Sequence, residues 1–279
     1  YCITGLRAGL GEGGGHGWLL AQIIAHGEAC YDTWCLDPRR FTRYANVEYT
    51  ALKAVEDYQN EFRFHMPHEH RPAGRPMKTT PLYDTLAAQN AEFAVVNGWE
   101  RAAYYKPDTD FREVHSFRFT NTFDLVGAEI ENVRSNVGIM EVSGFNRYEI
   151  TGEGVHDWLE HLSCSRIPRK QGKVGLAYLL NHLGNIKAEA TIANLPEDRV
   201  WYGSAAAAEY HDMDWLSQHI GPNEDVQIRS LTNDQTILVL AGPKARDVLS
   251  ACARGDWSKA AFPWLSVREC FIGFAPATV

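Results

Sequence analysis

Several features that would assign a chain to a simple class are missing from this sequence of 279 residues. It contains no run of about 18 apolar residues, the length that usually predicts a membrane-spanning helix. An excess of positive charge is also missing, because 35 acidic residues outnumber 27 basic ones and the formal net charge is −8. This balance argues against nucleic acid or an anionic membrane as a partner. None of the six cysteines forms a CxxC pair, and a chain of this size needs no disulfides to hold a core.

The composition that is present is typical of a globular protein, with 45% hydrophobic and 22% charged residues. We therefore expect reduced thiols in a reducing compartment, the cytosol or, in a eukaryotic cell, the mitochondrial matrix. The sequence starts in a strand pattern, Tyr1 to Gly5, without an initiator methionine, and it stops in the apolar stretch from Phe271 to Val279. These ends predict an interior piece of a longer polypeptide.

Residues 1–27 are predicted to form a strand, a glycine-rich loop and a helix. Six glycines fall between positions 9 and 17, apolar residues then recur at helical spacing, and Gly27 provides a stop. Glycine lets a backbone approach a ligand closely, and a helix N-terminus favours negative charge, so the loop could contact a phosphate or a flavin ring edge. The spacing is not a GxGxxG motif, and a plain tight loop is the alternative.

The rest of the chain mixes both periodicities, which predicts an α+β fold. Helices are expected over 47–58, from residue 82, and over 155–162, 206–219 and 244–253. Strands are expected at 92–96, 137–142, 147–151, 174–180, 186–193, 199–204 and 237–241, the last of them buried.

Two polar segments carry weak signals for a bound ion. Residues 65–76 contain three histidines and a glutamate, but their spacing matches no compact zinc motif, so a solvated loop is expected and no metal is predicted. A basic cluster at positions 166, 169, 170 and 173 could contact an anionic group or lie in a solvated loop. His211 and Trp215 share a helix face, and packing explains them better than a metal pair.

A single carboxylate, Glu189, lies among the alternating apolar residues of the strand predicted at 186–193. A carboxylate held in a strand can hydrogen bond a ring nitrogen, or orient a cationic amine and accept its proton. The alternative is a residue on the solvent side of the strand, with Lys187 beside it.

The order of several motifs resembles that of one enzyme family. The glycine-rich segment 11–17, the helix after it and Asp37-Pro38-Arg39-Arg40-Phe41 resemble the end of a flavin-dependent amine oxidoreductase domain. Thr80-Pro81-Leu82-Tyr83-Asp84 and Gly98-Trp99-Glu100-Arg101 resemble motifs near the end of its small central domain. The remainder resembles the folate-binding glycine-cleavage T-protein, through Leu180-Asn181, Gly184-Asn185-Ile186, Thr191-Ile192 and Ala241-Gly242-Pro243-Lys244-Ala245. This three-part order is similar to that of the dimethylglycine and sarcosine dehydrogenases.

The resemblance implies three domains and two cofactors. Residues 1–41 would end the FAD-dependent oxidoreductase domain, 42–98 would be the central domain, and 99–279 would start a T-protein-like aminomethyltransferase fold. Such an enzyme oxidises a small N-methylated amine with FAD and passes the one-carbon unit to tetrahydrofolate. The resemblance assigns Glu189 as the catalytic residue. It places Gly11, Gly13, Gly14, Gly15, His16 and Gly17 on the FAD side, and Tyr178, Asn181 and Glu189 on the folate side.

The sequence departs from the family pattern at two positions. Leu176 aligns with a tyrosine of some T-proteins, and Asn146 falls where many members have a lysine-containing pattern. Other members' N-terminal flavin-binding region and later folate-domain half have no counterpart in these residues, so the piece alone is expected to be inactive. The alternatives are a T-protein-related methyltransferase or demethylase, and a regulatory relative without catalysis. The amine, the electron acceptor and the oligomeric state do not follow from the sequence.

Overall fold

The computed structural model describes residues 1–6 and 8–279, which separate into two units, residues 1–40 and 41–279. The first unit contains helix α1 (Gly9–His26) and a short 3₁₀ turn at Trp34–Leu36, and a second 3₁₀ turn, Pro38–Phe41, crosses the unit boundary. Helix α1 ends where the sequence predicts, at Gly27, whose φ of 84° and hydrogen bond to the Ile23 carbonyl form a left-handed cap.

The predicted conformation of the glycine-rich segment is wrong. Residues 1–6 form no strand, and glycines 9–17 are the first half of α1 rather than a loop before it. Glycine adopts the right-handed helical conformation without steric conflict, and the ladder begins with the Glu12 N–H donating to the Ala8 carbonyl at 2.8 Å. Each interior glycine costs about 1 kcal/mol relative to alanine. This half of the helix therefore has low intrinsic stability, and α1 has no buried side chain.

The second unit begins with helix α2 (Val47–Gln59), helix α3 (Tyr83–Ala88) and the hairpin of β1 (Ala91–Val96) and β2 (Trp99–Tyr105). Asn46 caps α2, its side chain accepting from the Tyr49 N–H at 2.9 Å. The hairpin turns at Asn97 and Gly98, both with positive φ, as Asn-Gly hairpin turns require. The predicted α2, α3 and β1 are confirmed, whereas strand β2 was not predicted.

Helix α4 (Phe123–Ser135) precedes a five-stranded antiparallel sheet. Its strands are β4 (Asn146–Thr151), β5 (Val174–Leu180), β6 (Ile186–Asn194), β7 (Arg199–Ser204) and β8 (Gln227–Ser230), in the spatial order β5-β6-β7-β4-β8. Helices α5 (Val155–Leu162) and α6 (Glu209–Gln218) contribute buried residues to the core on one side of this sheet. The α+β class predicted from the sequence is confirmed.

The core contains one set of alternating side chains from each strand of the sheet, since successive strand residues point to opposite faces. Its largest fully buried apolar members include Tyr148, Ile150, Leu159, Leu179, Ile192 and Tyr202. The rings of Tyr148 and Tyr202 stack with their centroids 5.6 Å apart. The opposite face of the sheet carries the other set of side chains, including those of Tyr178 and Glu189.

Two further strand pairs complete the unit. Strand β3 (Gly138–Glu141) pairs with β9 (Leu238–Ala241), helix α7 (Ala245–Cys252) follows, and β10 (Glu269–Ile272) pairs with β11 (Ala275–Thr278). Strand β9 was expected to be buried, and this is wrong, because β3 is its one strand partner among the described residues and Leu238 stays 47% exposed. Among the described helices, none combines the length and apolar character needed to cross a membrane.

Candidate functional site

The β5–β6 hairpin brings together two of the predicted folate-side residues. Tyr178 on β5 lies directly opposite Glu189 on β6 in the antiparallel register. Their neighbours Ala177 and Ala190 are buried in the core, so Tyr178 and Glu189 point to the other face of the sheet. Glu189 is exposed there and Tyr178 is half-buried.

The Tyr178 hydroxyl and the Glu189 carboxylate also interact. Hydrogen bonding to the Glu189 carboxylate, followed by its negative charge, raises the pKa of Tyr178. The carboxylate keeps further acceptor positions. It can accept a hydrogen bond or a proton from a nitrogen of a bound molecule.

The backbone of Tyr178 is fixed on both sides of its strand. Strand β6 pairs with one edge of β5, and residues 163–165 cover the other edge. There the Cys164 N–H donates to the Tyr178 carbonyl at 3.0 Å, and the Tyr178 N–H donates to the Ser165 hydroxyl at 3.3 Å. These contacts fix the backbone of Tyr178 in a position where its side chain lies next to that of Glu189.

Asn181 shapes the turn between β5 and β6. Its side-chain oxygen accepts from the Leu183 N–H at 3.0 Å and the Asn185 N–H at 2.9 Å, and Gly184 takes a φ of 79°. An asparagine that bonds the backbone ahead of it in this way is a turn-forming residue. Its predicted contact with folate stays a prediction.

The two departures from the family pattern lie on opposite sides of the sheet. Leu176 is 49% exposed on β5, two residues before Tyr178 and on the same face. Asn146 is fully buried, donating to the Ser204 hydroxyl at 2.9 Å and accepting from the Thr232 hydroxyl at 3.1 Å. Asn146 therefore belongs to a buried polar cluster, while Leu176 lies on the face where ligand contacts are predicted.

One buried charge was not anticipated from the sequence. Arg147 has no exposed surface, and its guanidinium donates to the main-chain carbonyls of Ser143, Leu231 and Thr232. Burial lowers the pKa of this group.

The predicted FAD-side residues all lie in α1. A Cβ built at any of glycines 11, 13, 14, 15 and 17 meets no atom within 4 Å among those described, and His16 Nδ1 is 2.9 Å from the Glu12 carbonyl oxygen. The positions are thus open, and their contact with FAD stays a prediction.

The other polar clusters have structural partners. Buried Asp212 accepts from the Tyr202 hydroxyl at 2.8 Å, and His211 Nδ1 lies 2.8 Å from its other oxygen, while Trp215 packs on the core. Arg169 of the basic cluster pairs with Asp157 at 2.6 Å and with Glu160. Within residues 1–6 and 8–279, no group of three or more His, Cys, Asp or Glu side chains is arranged to hold a metal ion.

Comparison with known proteins identifies the class to which this fold belongs. The family model for the GCVT N-terminal domain matches residues 82–279, and that for the FAD dependent oxidoreductase central domain matches residues 26–80. The fold resembles the glycine cleavage system aminomethyltransferase T from Bartonella henselae, with a TM-score of 0.52 and 22% identity over 63% of this chain and 43% of that one. The chain belongs to the GCVT N-terminal domain family.

Two curated relatives align with nearly the whole chain. Mitochondrial dimethylglycine dehydrogenase of Mus musculus is 33% identical over 281 residues, covering 100% of this chain and 32% of that protein. The mitochondrial pyruvate dehydrogenase phosphatase regulatory subunit of Mus musculus is 28% identical over 283 residues, covering 99% of this chain and 32% of that protein. The chain therefore spans about a third of the length of these relatives.

Proposed function

We propose that this chain is part of a flavin-dependent N-methyl-amine dehydrogenase of the dimethylglycine or sarcosine type, which passes the one-carbon unit to tetrahydrofolate. The observation that carries the proposal is the order of the two family matches, an oxidoreductase central domain followed by a GCVT domain, within an alignment to dimethylglycine dehydrogenase that covers 100% of the chain. The division at residues 41 and 98 belongs to the same proposal. The six free cysteines support a reducing compartment, the cytosol or the mitochondrial matrix.

FAD would accept the two electrons released when the N-methyl group is oxidised. Tetrahydrofolate would accept the one-carbon unit. Glycines 11–17 would lie on the FAD side, although as part of a helix rather than as a loop. The outward face of the β5–β6 hairpin would lie on the folate side. Its Tyr178–Glu189 pair supports this assignment, because it presents an exposed anion where a cationic amine can bind.

Glu189 would act in the second half-reaction. Its carboxylate would orient the cationic one-carbon adduct of the amine and take the proton that the attacking folate nitrogen loses. Tyr178 would be a positioning residue, since it acts through its hydrogen bond to Glu189. Asn181 would set the turn that carries β6 back alongside β5.

The test uses the full-length protein that contains this chain, with dimethylglycine or sarcosine added in the presence and absence of tetrahydrofolate. Flavin bleaching with formaldehyde release that tetrahydrofolate suppresses is the expected result. Glu189→Gln should leave bleaching unchanged and release formaldehyde despite tetrahydrofolate, while Glu197→Gln, at an exposed turn after β6, should behave as wild type. An unchanged yield of methylenetetrahydrofolate in Glu189→Gln would remove Glu189 from the mechanism.

A second candidate function is regulatory, without catalysis. It is favoured by the alignment of 99% of the chain with the phosphatase regulatory subunit and by the loss of a polar group at exposed Leu176. This function predicts no bleaching with any N-methylated amine and no binding of tetrahydrofolate. Bleaching by either amine excludes it.

A further inference from the structure

A cavity of about 160 Å³ lies in the second unit, away from the β5–β6 hairpin. It lies between helix α2, the loop around residues 70–77 and the β1–β2 hairpin. None of the residues predicted to bind FAD or folate lines it. The residues assigned to the two cofactors therefore give this cavity no role.

Two tyrosines form a preorganised wall of the cavity. The rings of Tyr44 and Tyr49 meet edge to face with centroids 5.4 Å apart. Each ring lies directly on a glycine, because a Cβ at Gly98 would come within 2.4 Å of Tyr44 and a Cβ at Gly74 within 2.8 Å of Tyr49. A cavity whose walls are fixed in this way pays little entropy to receive a ligand.

The charged lining has an excess of cations. Lys53, Arg71 and Arg75 line the cavity, together with the single carboxylate of Glu100. Both oxygens of Glu100 accept hydrogen bonds from Arg75, at 2.9 and 2.6 Å, so this anion is already matched. The acids that pair with Lys53 and Arg71, namely Glu56 and Asp57, do not line the cavity.

Two cationic lining residues also keep unused hydrogen-bond donors. Among the described residues, none accepts from Nη1 of Arg75, whose Nε and Nη2 bond Glu100 and the Phe93 carbonyl. Lys53 Nζ donates to Glu56 at 2.8 Å and to the Arg71 carbonyl at 2.9 Å, which leaves one of its three N–H groups. An anion gains charge-assisted hydrogen bonds here, whereas an amine meets repulsion.

The volume of the cavity and the apolar part of its lining further restrict the class of ligand that fits. A cavity of about 150 Å³ holds a benzene molecule, with six non-hydrogen atoms. Met77, Val95 and the two tyrosine rings provide apolar contact for such a body. We propose that this cavity is a binding site for a small monocarboxylate with a short aliphatic chain, of about four carbons.

The test is a calorimetric titration of the full-length protein with butyrate, which has the predicted charge and size. We expect saturable one-to-one binding with a dissociation constant on the order of 1 mM. Inorganic phosphate carries negative charge but lacks the aliphatic chain. Butylammonium has the aliphatic chain but carries positive charge. Neither should bind with an affinity comparable to that of butyrate.

Variants at Lys53 connect the binding to this cavity. Lys53→Met should weaken butyrate binding at least about tenfold, Lys53→Arg should retain it, and Lys259→Met, at an exposed lysine elsewhere, should leave it unchanged. Val95→Phe, which fills the cavity, should abolish binding even if Lys53→Met fails to fold. The proposal is overturned by absence of saturable butyrate binding, by equal binding of phosphate or butylammonium, or by affinity unchanged in both Lys53→Met and Val95→Phe. Because the readout is binding, failure of amine turnover would not affect it.

Discussion

The buried ion pair of Glu100 and Arg75 leads to a quantitative prediction for stability. Glu100 is 2% exposed, and its two oxygens accept from Nε and Nη2 of Arg75. The hydrogen bond to Glu100 is the main cause that raises the pKa of Arg75, so the guanidinium stays charged. Glu100→Gln would place a neutral amide against the largely buried Arg75 guanidinium. The NH2 group of this amide is a donor and cannot accept a hydrogen bond from Arg75.

The size of the expected destabilisation depends on the interactions that Arg75 retains in Glu100→Gln. Removing one partner of a buried ion pair costs about 3–5 kcal/mol. Arg75 retains its bond to the Phe93 carbonyl at 2.8 Å, and its side chain is 19% exposed, which favours the lower end of that range. About 3 kcal/mol lowers the melting temperature of a unit of this size by roughly 6–12 °C.

The assay is scanning calorimetry of the full-length protein with a control from the same hairpin. Glu92→Gln removes the ion pair of Glu92 with Lys106, which is 3.0 Å long but has the Glu92 side chain 47% exposed. Such a surface pair contributes less than about 1 kcal/mol. Equal shifts in Glu100→Gln and Glu92→Gln would refute the reasoning. Partial recovery in the double variant Arg75→Met with Glu100→Leu is expected, because no charge then stays buried.

Three further predictions concern single side chains. Tyr178→Phe should reduce the yield of methylenetetrahydrofolate and shift its pH profile, because Glu189 loses its hydrogen bond, while flavin bleaching is unchanged; an unchanged profile would contradict the positioning role. Burial raises the pKa of Tyr104 to about 12, so its contribution to stability is complete below about pH 10 and is lost as the pH rises to about 12. Denaturant titrations between about pH 10 and pH 12 should show a smaller loss of stability in Tyr104→Phe than in the wild type. Gly98→Ala should destabilise the hairpin by more than 1 kcal/mol, because φ is 83° and the Tyr44 ring occupies the space, and an unaltered melting temperature would disprove this.

Much of the second unit could be predicted because its elements carry strong periodicity. The strands at 174–180, 186–193 and 199–204 alternate core and outward residues, and the observed strands agree with those ranges to within one residue. The short strands β8, β10 and β11 have four residues each, which is too few for a period of two to stand out. Helix α4 was not predicted, although Phe123, Val126, Ile130 and Val133 recur at helical spacing; none of these side chains is fully buried in the structure.

The candidate site was predictable only in part. Glu189 could be singled out as a lone acid in a strand, but its partner depends on the strand register. The register shifts between Leu179 and Leu180, so counting back from the turn would not have paired Tyr178 with Glu189. The burial of Arg147 depends on carbonyls more than 80 residues away, at Leu231 and Thr232. Contacts of that range leave no local pattern in a sequence.

The β3–β9 ladder has a consequence for the behaviour of this chain in solution. In the part of the chain that the structure describes, the ladder has two strands, and it exposes apolar side chains such as Ile139 and Leu238. Strand edges with apolar neighbours are templates for pairing between molecules. A recombinant protein of residues 1–279 should therefore self-associate as its concentration rises, and charged replacements at Ile139 and Leu238 should keep it monodisperse.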